Sequence, residues 1–211
     1  MLSVTEQAVY IPSEAGLLQG ELDVPADARG IVLFAHGSGS SRFSRRNRQV
    51  AEYLQNEGLA TLLFDLLTET EDLQYPNRFD IPLLARRLLS ATQWVQQEPR
   101  TRGLALGYFG ASTGAAAALQ AAAQLPVVRA VVSRGGRPDL AMVHLAQVRA
   151  PTLLIVGGND DTVLRLNREA LAHLQVPKAI EVVPGASHLF EEPGALEAVA
   201  RHAADWFLRY L

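Results

Sequence analysis

Residues 104–124, LALGYFGASTGAAAALQAAAQ, contain the passage on which the fold turns. Leu104 to Phe109 is a buried-type apolar run, the pattern of a strand covered on both faces in a parallel sheet. Residues 113–124 are rich in alanine and read as a helix. Between them stands Gly110-Ala111-Ser112-Thr113-Gly114, a G-x-S-x-G pentapeptide. A serine on so sharp a strand-to-helix turn projects its hydroxyl above the sheet, and the glycines leave room for the strand and helix to pass. Taken alone, the five residues also fit an ordinary glycine-rich turn. The strand before and the helix after favour a nucleophile.

Working upstream, Ile31 to Ala35 is a second continuous apolar run and ends in His36-Gly37-Ser38-Gly39. Before it, Val4 to Ile11 and Leu17 to Val24 flank Pro12–Gly16 and predict an antiparallel hairpin. Residues 45–57 predict a helix stopped by Gly58, and Leu59 to Phe64 a strand. Residues 82–98 predict a helix with Pro82 in its first turn and Pro99 just past its end. Downstream come strands at Val127 to Ser133, Leu153 to Val156 and Ile180 to Val183. Helices are predicted at 162–174 and 195–210. Such alternation implies an α/β fold: a mostly parallel sheet with helices on both faces, an N-terminal hairpin, and one domain over residues 1–211.

Composition narrows the function classes. The chain has no cysteine, which excludes disulfides, thiolate metal sites and a cysteine nucleophile. Its formal net charge of −3 and lack of a basic stripe argue against a nucleic-acid partner. The opening residues MLSVTEQAVYIP lack the basic flank and apolar run of a signal peptide, and no apolar stretch is long enough to span a membrane. A cytoplasmic location without a membrane partner is the expectation. There is no His-Glu-x-x-His pattern and no P-loop, so no metal or organic cofactor is expected.

In doubly wound sheets, ligands bind beyond the carboxyl ends of the strands. Two further groups stand there. Gly157-Gly158-Asn159-Asp160-Asp161 follows one strand, and Gly185-Ala186-Ser187-His188 follows the next. Asp160 is read as an acid that orients an imidazole, and Asp161 as the cap of the following helix. His188 is read as the base. His36 is read as shaping its loop, while His144, His173 and His202 lie in helical segments. Asp65 also ends a strand but precedes Ser112, and is read as structural. The order Ser112, Asp160, His188, each after a successive strand, is one of three known orders of a Ser-His-Asp triad. The oxyanion hole is expected from the backbone N–H groups of Thr113 and Ser38.

These residues resemble the α/β-hydrolase superfamily, and within it the small dienelactone-hydrolase-like branch. The resemblance runs from Ile31 to Trp206 and rests on His36-Gly37-Ser38-Gly39, the Ser112 pentapeptide, Gly157-x-x-Asp160 and Gly185-x-x-His188. It implies Ser112 as nucleophile, Asp160 as acid and His188 as base. Dienelactone hydrolases differ in using cysteine as nucleophile, so a lactone substrate is not implied. Only Arg134 to Ala150 separates Ser133 from Pro151, too little for the helical cap many relatives insert.

The function expected is hydrolysis of a small or medium carboxylic ester through an acyl-enzyme. The same triad also serves thioesterases, peptidases and perhydrolases, and a non-catalytic ligand-binding module on the fold is a further alternative. A small acyl compound is the expected partner, with monomer and homodimer both open. Arginines supply the one clue to substrate. Arg42 and Arg45 lie in Ser41-Arg42-Phe43-Ser44-Arg45-Arg46-Asn47-Arg48, and Arg134 and Arg137 follow another strand. Positive charge in a helix's first turn opposes its dipole. Either these arginines bind an anionic substrate group, or they pair with Glu69, Glu71 and Asp72. The long connection from Leu66 to Asp80 is expected to wall the pocket.

Overall fold

The computed structural model describes residues 5–211. Strands β1 (Thr5–Ser13) and β2 (Gly16–Val24) form the expected hairpin, in register from Thr5↔Val24 to Ser13↔Gly16. Val4, where the sequence reading begins the first strand, lies outside the described residues. The chain continues through β3 (Gly30–Ala35), α1 (Arg45–Asn56), β4 (Ala60–Phe64), α2 (Glu69–Asp72), α3 (Ile81–Gln97), β5 (Ala105–Ala111) and α4 (Thr113–Gln124). It ends through β6 (Val128–Arg134), β7 (Thr152–Gly157), α5 (Asp161–His173), β8 (Lys178–Val183) and α6 (Ala195–Tyr210).

The strands form one sheet in the order β1-β2-β4-β3-β5-β6-β7-β8. Only β1 with β2 and β2 with β4 pair antiparallel; every later pair is parallel. This is the α/β-hydrolase fold. Strands β3, β4 and β7 are buried at every residue, which explains their unbroken apolar sequences. On one face, Val50 and Leu54 of α1 and Val199, Ala203 and Phe207 of α6 pack over Val32, Phe34 and Phe109. On the other, Leu84 and Leu88 of α3 and Ala117, Ala118 and Ala121 of α4 pack over Leu33, Leu62 and Tyr108.

The winding fixes where a site can form. From β3 the chain moves out to β4, then crosses back so that β5 lies on the other side of β3. The loops leaving β3 and β5 therefore diverge, and a crevice opens between them. Those loops carry His36–Gly39 and Ser112.

Two connections carry short helical turns that the sequence reading did not assign. Residues 66–80 hold α2 and a 3₁₀ turn at Tyr75–Phe79. Thr68 and Glu71 close a capping box that starts α2. Residues 138–147 form short 3₁₀ turns interrupted at Ala141, and no cap covers the strand ends there. No helix among the described residues is long and apolar enough to cross a membrane.

Candidate active site

Ser112 is forced into place by its neighbours. Its φ is +51° and its ψ −122°, in a region unusual for a residue with a side chain. A Cβ on Gly110 would stand 2.4 Å from Ala115 Cα, and one on Gly114 would stand 2.1 Å from the Ala35 carbonyl oxygen. Both glycines are thus required by close approach of backbone to backbone. Ser112 occupies the N-cap position of α4, where serine ordinarily turns its hydroxyl back to the helix N–H groups. Here it makes no such bond, so the strained turn leaves the hydroxyl available.

His188 Nδ1 and Asp160 Oδ2 are 2.7 Å apart. The pair joins the loops that leave β7 and β8. Close approach again holds these loops together, because a Cβ on Gly157 would stand 2.4 Å from the Ala186 carbonyl oxygen. Asp160 is largely buried and His188 is two-fifths exposed. The other Asp160 oxygen, Oδ1, accepts the Val163 N–H at 3.4 Å and caps α5. The cap therefore belongs to Asp160 and not, as the sequence suggested, to Asp161, which is the first residue inside the helix.

Ser112 and His188 open into one cavity of about 240 Å³. Among the described residues no hydrogen bond joins the Ser112 hydroxyl to the imidazole. Such bonds are often loose in apo enzymes and tighten when substrate binds.

The loop after β3 lies against the start of α4. Ser38 N–H donates to Thr113 Oγ1 at 2.9 Å, so the two expected oxyanion residues are neighbours, and Thr113 itself is buried. His36 holds the rest of the loop. Its Nδ1 is 2.9 Å from the Gly37 carbonyl oxygen, and its Nε2 accepts the Leu66 N–H at 3.0 Å. That pattern requires the neutral ring protonated at Nδ1. Burial pushes the His36 pKa below its ordinary value.

The arginines separate cleanly. Arg42 is bound to Asp65 by its backbone N–H and its guanidinium, and to Gln19 at 2.8 Å. Arg137 pairs with Asp139 at 2.7 Å, which raises its pKa. Arg45 faces a different surface depression, beside Gln49. None of these three borders the Ser112 cavity. Glu71 and Asp72 do not pair with the 42–48 cluster either. They hold Arg87 and Arg78.

Arg134 does border the cavity, together with two residues that the sequence reading passed over, Arg46 and Asn47. Both stand in the arginine-rich run already singled out. Which of its residues faces the site depends on the helix starting at the Ser44 cap, and that fixes Arg46 and Asn47 at its second and third positions. The 66–80 connection contributes nothing to this cavity; it packs behind the oxyanion loop, with Leu66 and Leu67 near Gly37 and Gly39.

Known proteins are similar to this chain in sequence and fold. The model of the dienelactone hydrolase family matches residues 18–211. A crystal structure of dienelactone hydrolase from Anabaena variabilis is 58% identical, with a TM-score of 0.96 and 99% of each chain covered. The esterase domain of a Rhodothermus marinus protein is 20% identical, with a TM-score of 0.79 over 98% of this chain and 99% of that one, a likeness of fold. A Mycobacterium tuberculosis protein, provisionally named a phosphoribosyl transferase, is 62% identical over 193 residues. Those residues are 91% of this chain and 44% of that protein, so the chain spans less than half the length of this curated relative.

Proposed function

The chain belongs to the dienelactone hydrolase family, and from that premise we propose that it is a serine hydrolase that cleaves a small carboxylic ester through an acyl-enzyme. One observation carries the reading. Ser112 is held at a positive φ with its hydroxyl free, in the same cavity as an imidazole paired to a buried carboxylate.

In the proposed reaction, Ser112 Oγ attacks the acyl carbonyl while His188 Nε2 takes its proton. Asp160 accepts the Nδ1–H bond, which fixes the tautomer and stabilises the imidazolium. The carbonyl oxygen becomes an oxyanion at the N-terminus of α4. There the Thr113 N–H, in the first turn, has no partner within the helix. The Ser38 N–H exchanges Thr113 Oγ1 for this developing charge. His188 then protonates the leaving alcohol, and water hydrolyses the acyl-enzyme with the same imidazole as base. Removing one oxyanion-hole donor costs about 3–4 kcal/mol in a related setting. The transferase name of the Mycobacterium tuberculosis relative describes a much longer protein and is not taken over.

The test is covalent labelling with a fluorophosphonate, read by intact and peptide mass spectrometry, beside Ser112→Ala. A stoichiometric adduct on Ser112, absent from the variant, is the expected outcome. A folded protein that takes no label would overturn the assignment and leave a binding module on a hydrolase fold.

A further inference from the structure

The residue that ends β6, Arg134, is a buried cation with no counter-ion. Its side chain belongs to a residue only 6% exposed, yet it makes no ion pair among the described residues. Its Nη2 donates to Asn47 Oδ1 at 3.1 Å, and its buried Nε has no partner. The other arginines near the strand ends are different. Arg42 has Asp65, Arg137 has Asp139, and the equally buried Arg87 has both Glu71 and Glu14.

Arg134 is also tied to the nucleophile. Its carbonyl accepts the Ser112 N–H at 3.3 Å, and the residue lines the cavity into which Ser112 opens, its Nη2 bonded to Asn47 of the same lining. A second cation, Arg46, borders the same cavity. Its one ion pair, to the exposed Glu191 at 3.3 Å, leaves its Nε without a partner. Burial and the nearby Arg46 charge together push the Arg134 pKa down to about 10. Two cations at one cavity, one of them largely buried, are unfavourable unless an anion joins them.

We propose that Arg134 and Arg46 form a subsite for a phosphate group carried by the ester substrate, held beside Ser112. The donors decide for phosphate over carboxylate. Besides the two arginines, Ser38, Ser40 and Ser44 line the cavity, and two positive charges among several hydroxyl-bearing residues match a dianion with three free oxygens. The cavity, about 240 Å³, is smaller than the usual ligand site of about 300–1,000 Å³, which suits a compact polar substrate. The place of the ester rests on the reading of Ser112 as nucleophile, whereas the anion site can be measured without turnover.

The experiment is calorimetric titration of the protein with inorganic phosphate at fixed ionic strength, with succinate as the carboxylate arm. Saturable phosphate binding is expected, tighter than that of succinate. It should weaken by about tenfold or more in Arg134→Gln and in Arg46→Gln, the scale for losing a charged hydrogen bond. If Arg134→Gln does not fold, Arg46→Gln decides alone, since Arg46 is about one-third exposed. No saturable binding, equal binding in the variants, or succinate binding as tightly as phosphate would each overturn the proposal. Phosphate should also slow fluorophosphonate labelling of Ser112. Should Ser112 not label at all, the nucleophile assignment fails while the titration still reports on the anion site.

Discussion

Replacing Asp160 by asparagine and by alanine separates two contributions made by one carboxylate. Oδ2 orients His188 at 2.7 Å, and Oδ1 caps α5 at 3.4 Å. Asparagine caps a helix about as well as aspartate, so Asp160→Asn should leave stability within about 0.5 kcal/mol of the parent. It places an amide against Nδ1, however, and cannot stabilise the imidazolium. In a comparable triad this substitution lowers kcat about 10⁴-fold, or about 5.5 kcal/mol of transition-state stabilisation. Asp160→Ala should lose as much activity and the cap as well. The cap bond is long, so its loss should cost about 0.5–1 kcal/mol, the low end for such residues. In a chain of this size that corresponds to a Tm lower by about 1–4 °C. Asp161→Ala should leave kcat within about twofold and lose only the favourable charge in the first turn, about 0.3–1 kcal/mol. The assays are p-nitrophenyl acetate hydrolysis and thermal unfolding. If Asp161→Ala loses activity as Asp160→Asn does, or if Asp160→Asn keeps a tenth of the parent rate, the acid has been misassigned.

Two further outcomes follow from the loops behind the site. Burial opposes ionisation of Glu71, but the Thr68 N–H and the Arg87 guanidinium overcome it and hold the carboxyl below its ordinary range. Glu71→Gln keeps the capping-box geometry and leaves the buried Arg87 with only the exposed Glu14. Urea unfolding should show a loss of about 2 kcal/mol, less than the 3–5 of a fully orphaned buried charge because Glu14 remains; no measurable loss would refute the pairing as a stabiliser. His36 has its pKa lowered in the fold, so the unfolded chain binds its proton first. Its contribution is therefore present above the ordinary value of 6.5 and is lost as pH falls through the lower folded value, when a proton on Nε2 breaks the bond from Leu66. The stability–pH slope below about 6.5 should be shallower in His36→Gln than in the parent; identical slopes would show that His36 does not titrate in this way.

The architecture was legible because its strands are of two unmistakable kinds. The buried runs at Ile31 and Leu104 have no polar alternation, and the hairpin strands at the edge do. The placement of Ser112, Asp160 and His188 at one end of the sheet was legible for a related reason: each follows a strand, and G-x-S-x-G carries its own geometric demand in Gly110 and Gly114. What the sequence concealed was rotational detail. Choosing Asp161 over Asp160 as the cap treated orientation of His188 and capping as exclusive, whereas a carboxylate has two oxygens and uses one for each. Singling out Arg46 rather than Arg45 required knowing how α1, which starts at residue 45 as read, is rotated against the sheet, because each step turns a side chain by about 100° about the helix axis. The partners of Arg42 were equally hidden. Asp65 and Gln19 lie on β4's end and on β2, brought together only by the antiparallel pairing of β2 with β4.

These particulars share a cause. Most of the candidate groups stand at the terminus of an element that the fold needs in any case: Ser112 caps α4 and Thr113 begins it, Asp160 caps α5, Arg46 and Asn47 lie in the first turn of α1, and Arg134 ends β6. Termini are where backbone donors lack partners within the element, so they gather polar side chains and present N–H groups toward the crevice. In an α/β sheet all of these helix starts lie at one edge, next to the strand ends. Without a cap over residues 138–147, nothing else is required to build a polar, charged cavity there. The same economy links stability to activity. Asp160 caps α5 and bonds His188, and Thr113 holds the loop after β3 beside Ser112, so substitutions at this edge must be read with both assays at once.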